Sequence, residues 1–364
     1  MSWELFSKST RQSRIFVYKR DSAPHFLTPL YVASFSSFGD SDFGPRALAT
    51  LRSLRPALPD GQYPAILLSA YDLKRRLRLG EGAEAPAVAQ ELLKELGQQD
   101  VWQLDSGVYE KDCFQDSTWG LQEFLSVFQT TKPPCVVAYD YRPSDASTQS
   151  FEQALDSTVS SAKAALNGSQ ITLLVRFHSG AGLWETETGQ QEVSRIRDML
   201  KILTSGLLKL DDRVAVVGVA ENELGPGIRT RLRSMARLRA ALSDAGIEKP
   251  IHIFGASDPQ NLALYCLAGA DIFDGVNWSR YYLDTEDCCL RDKGLLSWRE
   301  PNVGEAASLA NQWEMLGVSN ILRMQRFTST LQRLIETGQP RTTREETWLG
   351  FVAACCGEIL EGRK

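Results

Sequence analysis

The chain has 364 residues, with 40 Lys and Arg against 45 Asp and Glu and a formal net charge of −5. That balance excludes a protein whose whole surface attracts nucleic acid, so any such contact has to come from local basic patches. A hydrophobic fraction of 43% and a charged fraction of 23% fit a soluble globular chain. No apolar run approaches the roughly 18 residues that span a bilayer. The opening Met1-Ser2-Trp3-Glu4-Leu5-Phe6-Ser7-Lys8 has no apolar signal core, so a cytoplasmic location without a membrane partner is expected.

In chain order, short apolar runs rich in β-formers alternate with helical patterns. Apolar runs lie near Ile15–Tyr18 and at Tyr31–Ala33, followed by Ala65–Leu68, Val101–Leu104 and Cys135–Tyr139. Further runs are Ile171–Phe177, Val214–Ala220, Ile251–Phe254 and Ile272–Val276. Between them, amphipathic stretches predict helices at Ala85–Leu96, Leu121–Phe128, Phe151–Leu166, Gln191–Leu207, Arg229–Ala245 and Pro259–Ala268. Strands apolar on both faces that alternate with helices make a parallel sheet covered by helices. Six to eight such units favour an α/β fold of the closed (β/α)8 TIM-barrel type over an open sheet. The expected division is a barrel over residues 1–300 and C-terminal helices over 301–364. An apolar stripe from about Asn311 to Thr337 is stopped by Gly338 and Pro340, and a second helix starts near Thr343 and carries Trp348, Phe351 and Ile359.

A barrel of this kind works at the C-terminal ends of its strands. There the first polar residues include Ser69 after Leu68, Asp105 after Leu104, Asp140 after Tyr139, Arg176 after Val175 and Asp274 after Phe273. Three aspartates from strands far apart in sequence therefore converge on one rim. Each has a simpler reading as the cap of the following helix. As a set, carboxylates at a barrel mouth suit nucleophilic and acid/base work on a glycosidic bond. The seven cysteines, Cys113, Cys135, Cys266, Cys288, Cys289, Cys355 and Cys356, include no zinc spacing, and three histidines are available in the whole chain. Reduced thiols, no metal and no cofactor are expected.

Four blocks resemble the tRNA-guanine transglycosylase superfamily, over about Arg14 to Glu336. Ile66-Leu67-Leu68-Ser69-Ala70-Tyr71-Asp72-Leu73 is similar to its I-L-G-N-T-Y-H-L, and Asp105-Ser106-Gly107-Val108-Tyr109 to its D-S-G-G-F. Val217-Gly218-Val219-Ala220-Glu221-Asn222-Glu223 is similar to G-G-L-A-V-G-E, and Ala270 to Arg280 to V-D-M-F-D-C-V-x-P-T-R. The resemblance implies that Asp274 is a nucleophile and Asp105 a general acid/base. It also implies that Asp140 reads the base, that Tyr109 stacks on it, that Gly218 and Val219 contact it through the backbone, and that Glu223 lies near its 7-substituent. Ser69 and Ser106 belong to the same base-binding blocks. A carboxylate can stabilise and trap an oxocarbenium-like centre. A second carboxyl can give and take the proton of the exchanged base, and an acceptor-only group suits guanine's N1–H and 2-amino donors.

The sequence also departs from that superfamily. Its C-x-C-x2-C…H zinc site after the nucleophile strand has no counterpart, so no zinc subdomain is expected. Val108 and Val217 stand where the superfamily has glycines, and Ser69 and Ala70 replace its Asn and Thr. Aspartates retained beside lost tRNA-docking features point to a branch that exchanges guanine for a 7-deazaguanine base in DNA, with tRNA as the alternative. Basic patches then have to bind phosphates. Candidates are Arg75 and Arg76, Arg229, Arg231 and Arg233 on a helix that also carries Arg237 and Arg239, and Arg280. Arg323, Arg326, Arg333, Arg341 and Arg344 follow in the C-terminal third. An accessory protein of a DNA-modification system is a further expected partner. Three other readings stay open: a zinc-less tRNA-guanine transglycosylase, a non-catalytic subunit of a heteromeric one, and a barrel glycosidase acting on sugars.

Overall fold

A computed structural model describes residues 2–8, 14–20, 23–37, 43–58, 64–79, 87–97, 102–165, 168–178, 183, 190–209, 214–284, 289–291, 309–337 and 339. Three strands, β1 (Ser2–Lys8), β2 (Arg14–Arg20) and β3 (Ala23–Leu27), pair antiparallel in a sheet of their own. Eight more close into a parallel barrel: β4 (Leu30–Phe35), β5 (Ile66–Ser69), β6 (Trp102–Asp105), β7 (Cys135–Val137), β8 (Gln170–Val175), β9 (Val214–Ala220), β10 (Ile251–Phe254) and β11 (Ile272–Gly275). The ring closes where β11 pairs with β4, with Asp274 opposite Val32. The helices between these strands are α1 (Phe43–Ala57), α2 (Ala87–Gly97), α3 (Val108–Phe114), α4 (Leu121–Thr131), α5 (Thr148–Ala165), α6 (Gln190–Leu208), α7 (Ile228–Asp244) and α8 (Pro259–Leu267). The fold is the α/β (β/α)8 TIM barrel that the alternating pattern predicts. Among the described residues no helix is long and apolar enough to cross a membrane.

Two assignments change. Ile15–Tyr18 lies in β2, outside the barrel, and the first barrel strand is Leu30–Phe35, which extends the short Tyr31–Ala33 run at both ends. An apolar run does not reveal its partners; β2 sits a few residues from β1 and β3 and pairs with them locally, whereas a parallel neighbour needs a crossover. Helix α3 forms where the sequence after Asp105 gives no clean helical opening, and it has no counterpart among the predicted elements; neither has α1. Pro45 of α1 falls in the first turn, where a missing N–H costs nothing, and Pro56 falls in the last.

Side-chain parity along the strands makes two cores. Tyr31, Ala33 and Phe35 of β4, Ile66 and Leu68 of β5, and Val217 and Val219 of β9 point outward and pack with the helices. Leu30, Val32, Leu67, Val216 and Ile272 point inward and fill the lower barrel with Phe254. The inward series changes character on the way up. After Leu30 and Val32 comes Ser34, after Leu67 comes Ser69, and after Ile272 comes Asp274. Successive inward positions stand two residues apart, so the rim is polar because the last inward residue of each of these strands is polar.

Beyond β11 the chain forms α9 (Asn277–Arg280), a small hairpin of β12 (Tyr282–Asp284) and β13 (Cys289–Arg291), and then α10 (Leu309–Thr337). Helix α10 covers the predicted stripe, with Leu316, Met324, Leu331 and Leu334 buried. Its Asn320 donates through Nδ2 to the carbonyls of Trp278 (2.8 Å) and Tyr281 (2.6 Å) and accepts from Leu283 N–H (3.0 Å). Trp278 Nε1 in turn donates to Ser34 O at 2.9 Å. The helix thereby pins the segment that follows Asp274. The second C-terminal helix, with Arg341 and Arg344, lies outside the described residues, as do Cys288, Cys355 and Cys356.

At the opposite end of the barrel Arg239 is fully buried. It donates to Gly269 O (2.8 Å) and Lys249 O (2.9 Å) and pairs with Asp271, and its guanidinium lies 5.9 Å from the Phe16 ring. Removing one member of a buried ion pair strands the other charge. Arg239→Ala is expected to lower the unfolding free energy by about 3–5 kcal/mol, while the exposed Arg229→Ala stays within about 0.5 kcal/mol; urea denaturation of the two variants measures the contrast.

Candidate active site

The expected residues meet at the C-terminal rim. Asp274, third residue of β11 and buried, receives three donors. Ser34 Oγ of β4 donates to Oδ2, while Gly255 N–H (3.1 Å) donates to Oδ1 and His252 Nε2 lies 3.1 Å from the same oxygen. The imidazole is stacked on Phe254 with ring centroids 3.9 Å apart. None of these partners belongs to the helix that follows Asp274, so the carboxylate is not a helix cap. A buried negative charge needs such donors in place of water.

Asp140, just beyond β7, is also buried and accepts from Ser106 Oγ (2.5 Å) and Arg176 Nη1 (3.3 Å). Arg176 lies between two acids, with its Nε 2.8 Å from Glu223 Oε1 as an ion contact lacking an aligned N–H bond. Glu223 takes its aligned bond from Phe177 N–H at 2.9 Å. Burial alone would depress the guanidinium; the charges of Asp140 and Glu223 more than offset it and hold it above its ordinary value.

Asp105 ends β6 and receives one donor, Gly107 N–H at 3.1 Å. Here the simpler capping reading survives in part, because this bond is local to the turn that opens α3. Gly107 adopts φ +77°, and a Cβ on it would lie 2.6 Å from Tyr71 Cβ, so the turn requires glycine. The Asp105 carboxyl is pushed well up, first by burial and then by the charges of Glu110, Asp140 and Asp274, with the Gly107 bond opposing.

Two further acids stand at this rim. Glu110 of α3 is buried and accepts from Ser36 Oγ (2.7 Å) and Ser69 Oγ (3.0 Å). Asp72 opens the π-helical turn Asp72–Arg76 after β5 and accepts from Ser37 N–H (2.7 Å) and Ser37 Oγ. Burial and then the charge of Glu110 push Asp72 up to about 7, against the Ser37 bonds. Burial also raises Glu110, against its serine bonds.

The remaining candidates divide. Tyr109 is half exposed on α3, and the charge of Arg280, an exposed residue of α9, reaches its phenol. The inward face of Gly218 is covered by Phe254, whose Cε2 stands 2.7 Å from where a Cβ would be. The Val219 side chain packs outward against the helices. Arg75 pairs with Asp116 (3.0 Å) and Thr118 (2.6 Å), and Arg76 lies 4.5 Å over the Phe114 ring. On α7, Arg229 and Arg233 are exposed, while Arg231 is engaged with Glu221 (2.9 Å) and Gly225 O (2.8 Å). With Arg239 buried at the far end, α7 does not present its five arginines as one face. A helix rises about 1.5 Å per residue, so Arg229 and Arg239 stand about 15 Å apart along it.

Ser34, His252, Arg176, Glu110 and Asp72 join the site without a role in the family pattern. For His252 and Ser34 a signal existed: each is the polar residue at an inward position of an otherwise apolar strand. Glu110 and Asp72 carry no such mark, because a helical turn brings them to the rim.

Asp72 has a consequence for stability. Its folded value of about 7 lies above the ordinary 3.8, so between the two the folded protein binds the extra proton. The stability this supplies is fully present below 3.8 and is lost as pH rises through about 7. Asp72→Asn is expected to flatten that fall, read from urea midpoints measured from pH 4 to pH 8.

In comparisons with known proteins, no family model and no curated protein matches the chain.

Proposed function

We propose that this barrel exchanges guanine in a nucleic acid, DNA in preference to tRNA, for a 7-deazaguanine base by double displacement. The observation that carries the reading is the unequal hydrogen bonding of three rim carboxyls. Asp274 has three donors, Asp140 has a serine hydroxyl and an arginine, and Asp105 has one backbone N–H. Carboxyl groups whose surroundings differ in this way take separate acid and base roles.

In this reading an Asp274 oxygen attacks C1′ of the target nucleotide, the C1′–N9 bond breaks, and its electron pair leaves with guanine. Asp105 supplies the proton that the departing base needs, as suits a carboxyl whose hold on its proton is strengthened by burial and by the charges of Glu110, Asp140 and Asp274. The incoming base returns a proton to Asp105 as its ring nitrogen attacks C1′, and the C1′–O bond to Asp274 breaks to restore the carboxylate. Asp140, kept in place by Ser106 and Arg176, accepts from N1–H and the 2-amino group. Tyr109 offers a ring face for stacking. A base inside a duplex has to leave the stack first, and the exposed Arg76, Arg229, Arg233 and Arg280 are candidate cations for phosphates.

Incubation with labelled guanine and either duplex DNA or tRNA tests the polymer, and denaturing electrophoresis tests the covalent adduct. Label is expected to enter DNA, and Asp274→Asn is expected to abolish both incorporation and adduct. Incorporation into tRNA alone would reassign the polymer, and full activity of Asp274→Asn would remove the nucleophile.

A further inference from the structure

The rim holds more carboxyl groups than the proposed exchange uses. Glu110 and Asp72 are both buried, yet neither bonds Asp105, Asp140 or Asp274 directly. The position of Glu110 is specific. Its Oε2 accepts from Ser69 Oγ at 3.0 Å, and Ser69 is the residue that pairs with Asp105 across the β5–β6 ladder. Its Oε1 accepts from Ser36 Oγ at 2.7 Å, just past the end of β4. A single carboxyl, carried on the helix that follows β6, thus ties the ends of β4 and β5 together, next to the strand position that carries Asp105.

Neighbouring carboxyls in a dry site cannot all ionise, and the proton stays on the one with the fewest donors. Glu110 has two hydroxyl donors on separate oxygens, whereas Asp105 has a single backbone N–H. We propose that Glu110, clamped between Ser36 and Ser69, is a positioning residue whose negative charge keeps the proton on Asp105 in the resting protein. No atom of Glu110 has to touch a substrate for this. The role deepens the proposed function, because it would give that reaction its acid. The charge effect itself can be measured without any substrate.

Other charged groups face the same space. Asp140 from the β7 end and Asp274 from β11 add to the negative field on Asp105, and Arg176 from the β8 end opposes it. His252 of β10 lies against Asp274, and Glu223 beyond β9 lies against Arg176. Asp72 and Arg76 of the π-helical turn act on each other, and Asp72 feels Glu110. Of the acids nearest Asp105, Asp140 and Asp274 each have a cation or imidazole against them. Glu110 is bound by uncharged groups, two serine hydroxyls and its own backbone N–H, so its charge is the least compensated of the three.

The test follows the carboxylic-acid stretch of Asp105 by infrared difference spectroscopy on protein with 13C-labelled aspartate. The band is assigned by its loss in Asp105→Asn. In the parent protein it is expected to persist to higher pH than an ordinary aspartic acid allows. Glu110→Gln keeps the shape and removes the charge, so the band is expected to disappear at lower pH, while Glu110→Asp retains the parent titration more closely. Should Glu110→Gln fail to fold, Ser36→Ala serves. It removes one donor that holds the charge on Glu110, so it is expected to move the Asp105 titration the same way. An unchanged or upward-moving titration in the folded variant would overturn the proposal. Where base exchange is measurable, the high-pH limb of kcat/KM moves to lower pH in Glu110→Gln. A shifted infrared titration in a protein without exchange activity would retain the role of Glu110 and reject the transglycosylase reading.

Discussion

Donors are scarce at the C-terminal rim, and much of the structure answers to that scarcity. Six acids are grouped there: Asp72, Asp105, Glu110, Asp140, Glu223 and Asp274. Among the described residues one buried arginine, Arg176, reaches two of them. The remaining donors are Ser34, Ser36, Ser37, Ser69, Ser106, His252 and backbone N–H groups. In a medium that excludes water each donor withheld leaves a carboxyl in its neutral form, and each donor supplied favours the charged one. Donors are shared out unequally: Asp105 has one, a backbone N–H, and Asp274 has three.

This arrangement depends on rigidity below and beside it. The inward-facing Leu30, Val32, Leu67, Val216 and Ile272 fill the lower barrel, so the strand ends cannot collapse on one another. On the outside, α10 reaches the site through Asn320 and Trp278, which link the segment after Asp274 back to Ser34 O. Ser34 is the same residue whose hydroxyl bonds Asp274. The C-terminal helix thus belongs to the support of the site, and its packing fixes a first-neighbour donor of the carboxylate.

Charge on the outer surface is organised less simply than a count of arginines suggests. A helix that follows a barrel strand runs back from rim to base, so a string of arginines along it spreads over the height of the molecule. On α7 this leaves Arg229 and Arg233 exposed, engages Arg231 with Glu221, and buries Arg239 against Asp271. The same amino acid meets solvent, the Glu221 carboxyl and the barrel base within three turns.

The sequence by itself determined a helix-covered parallel sheet, and its number of strand and helix units favoured closure into a barrel over an open sheet. Strands that are apolar on both faces have no other stable arrangement than a helix-covered parallel sheet, and the repeat of strand and helix sets its extent. It also determined that Asp105, Asp140 and Asp274 stand together, because each follows an apolar run and every such run ends at the same rim. Periodicity could not separate β2 from a barrel strand, since both are short apolar runs and only their partners differ. Nor could it reveal Glu110, whose carboxyl comes to the rim by a helical turn that opens at Gly107 with φ +77°. Only the tertiary structure decided which donors each carboxyl receives. Ser34 and Asp274 are 240 residues apart and become neighbours solely because β11 closes the barrel on β4. Proton affinity in a buried site is set by such contacts, and they exist only once the ring is closed.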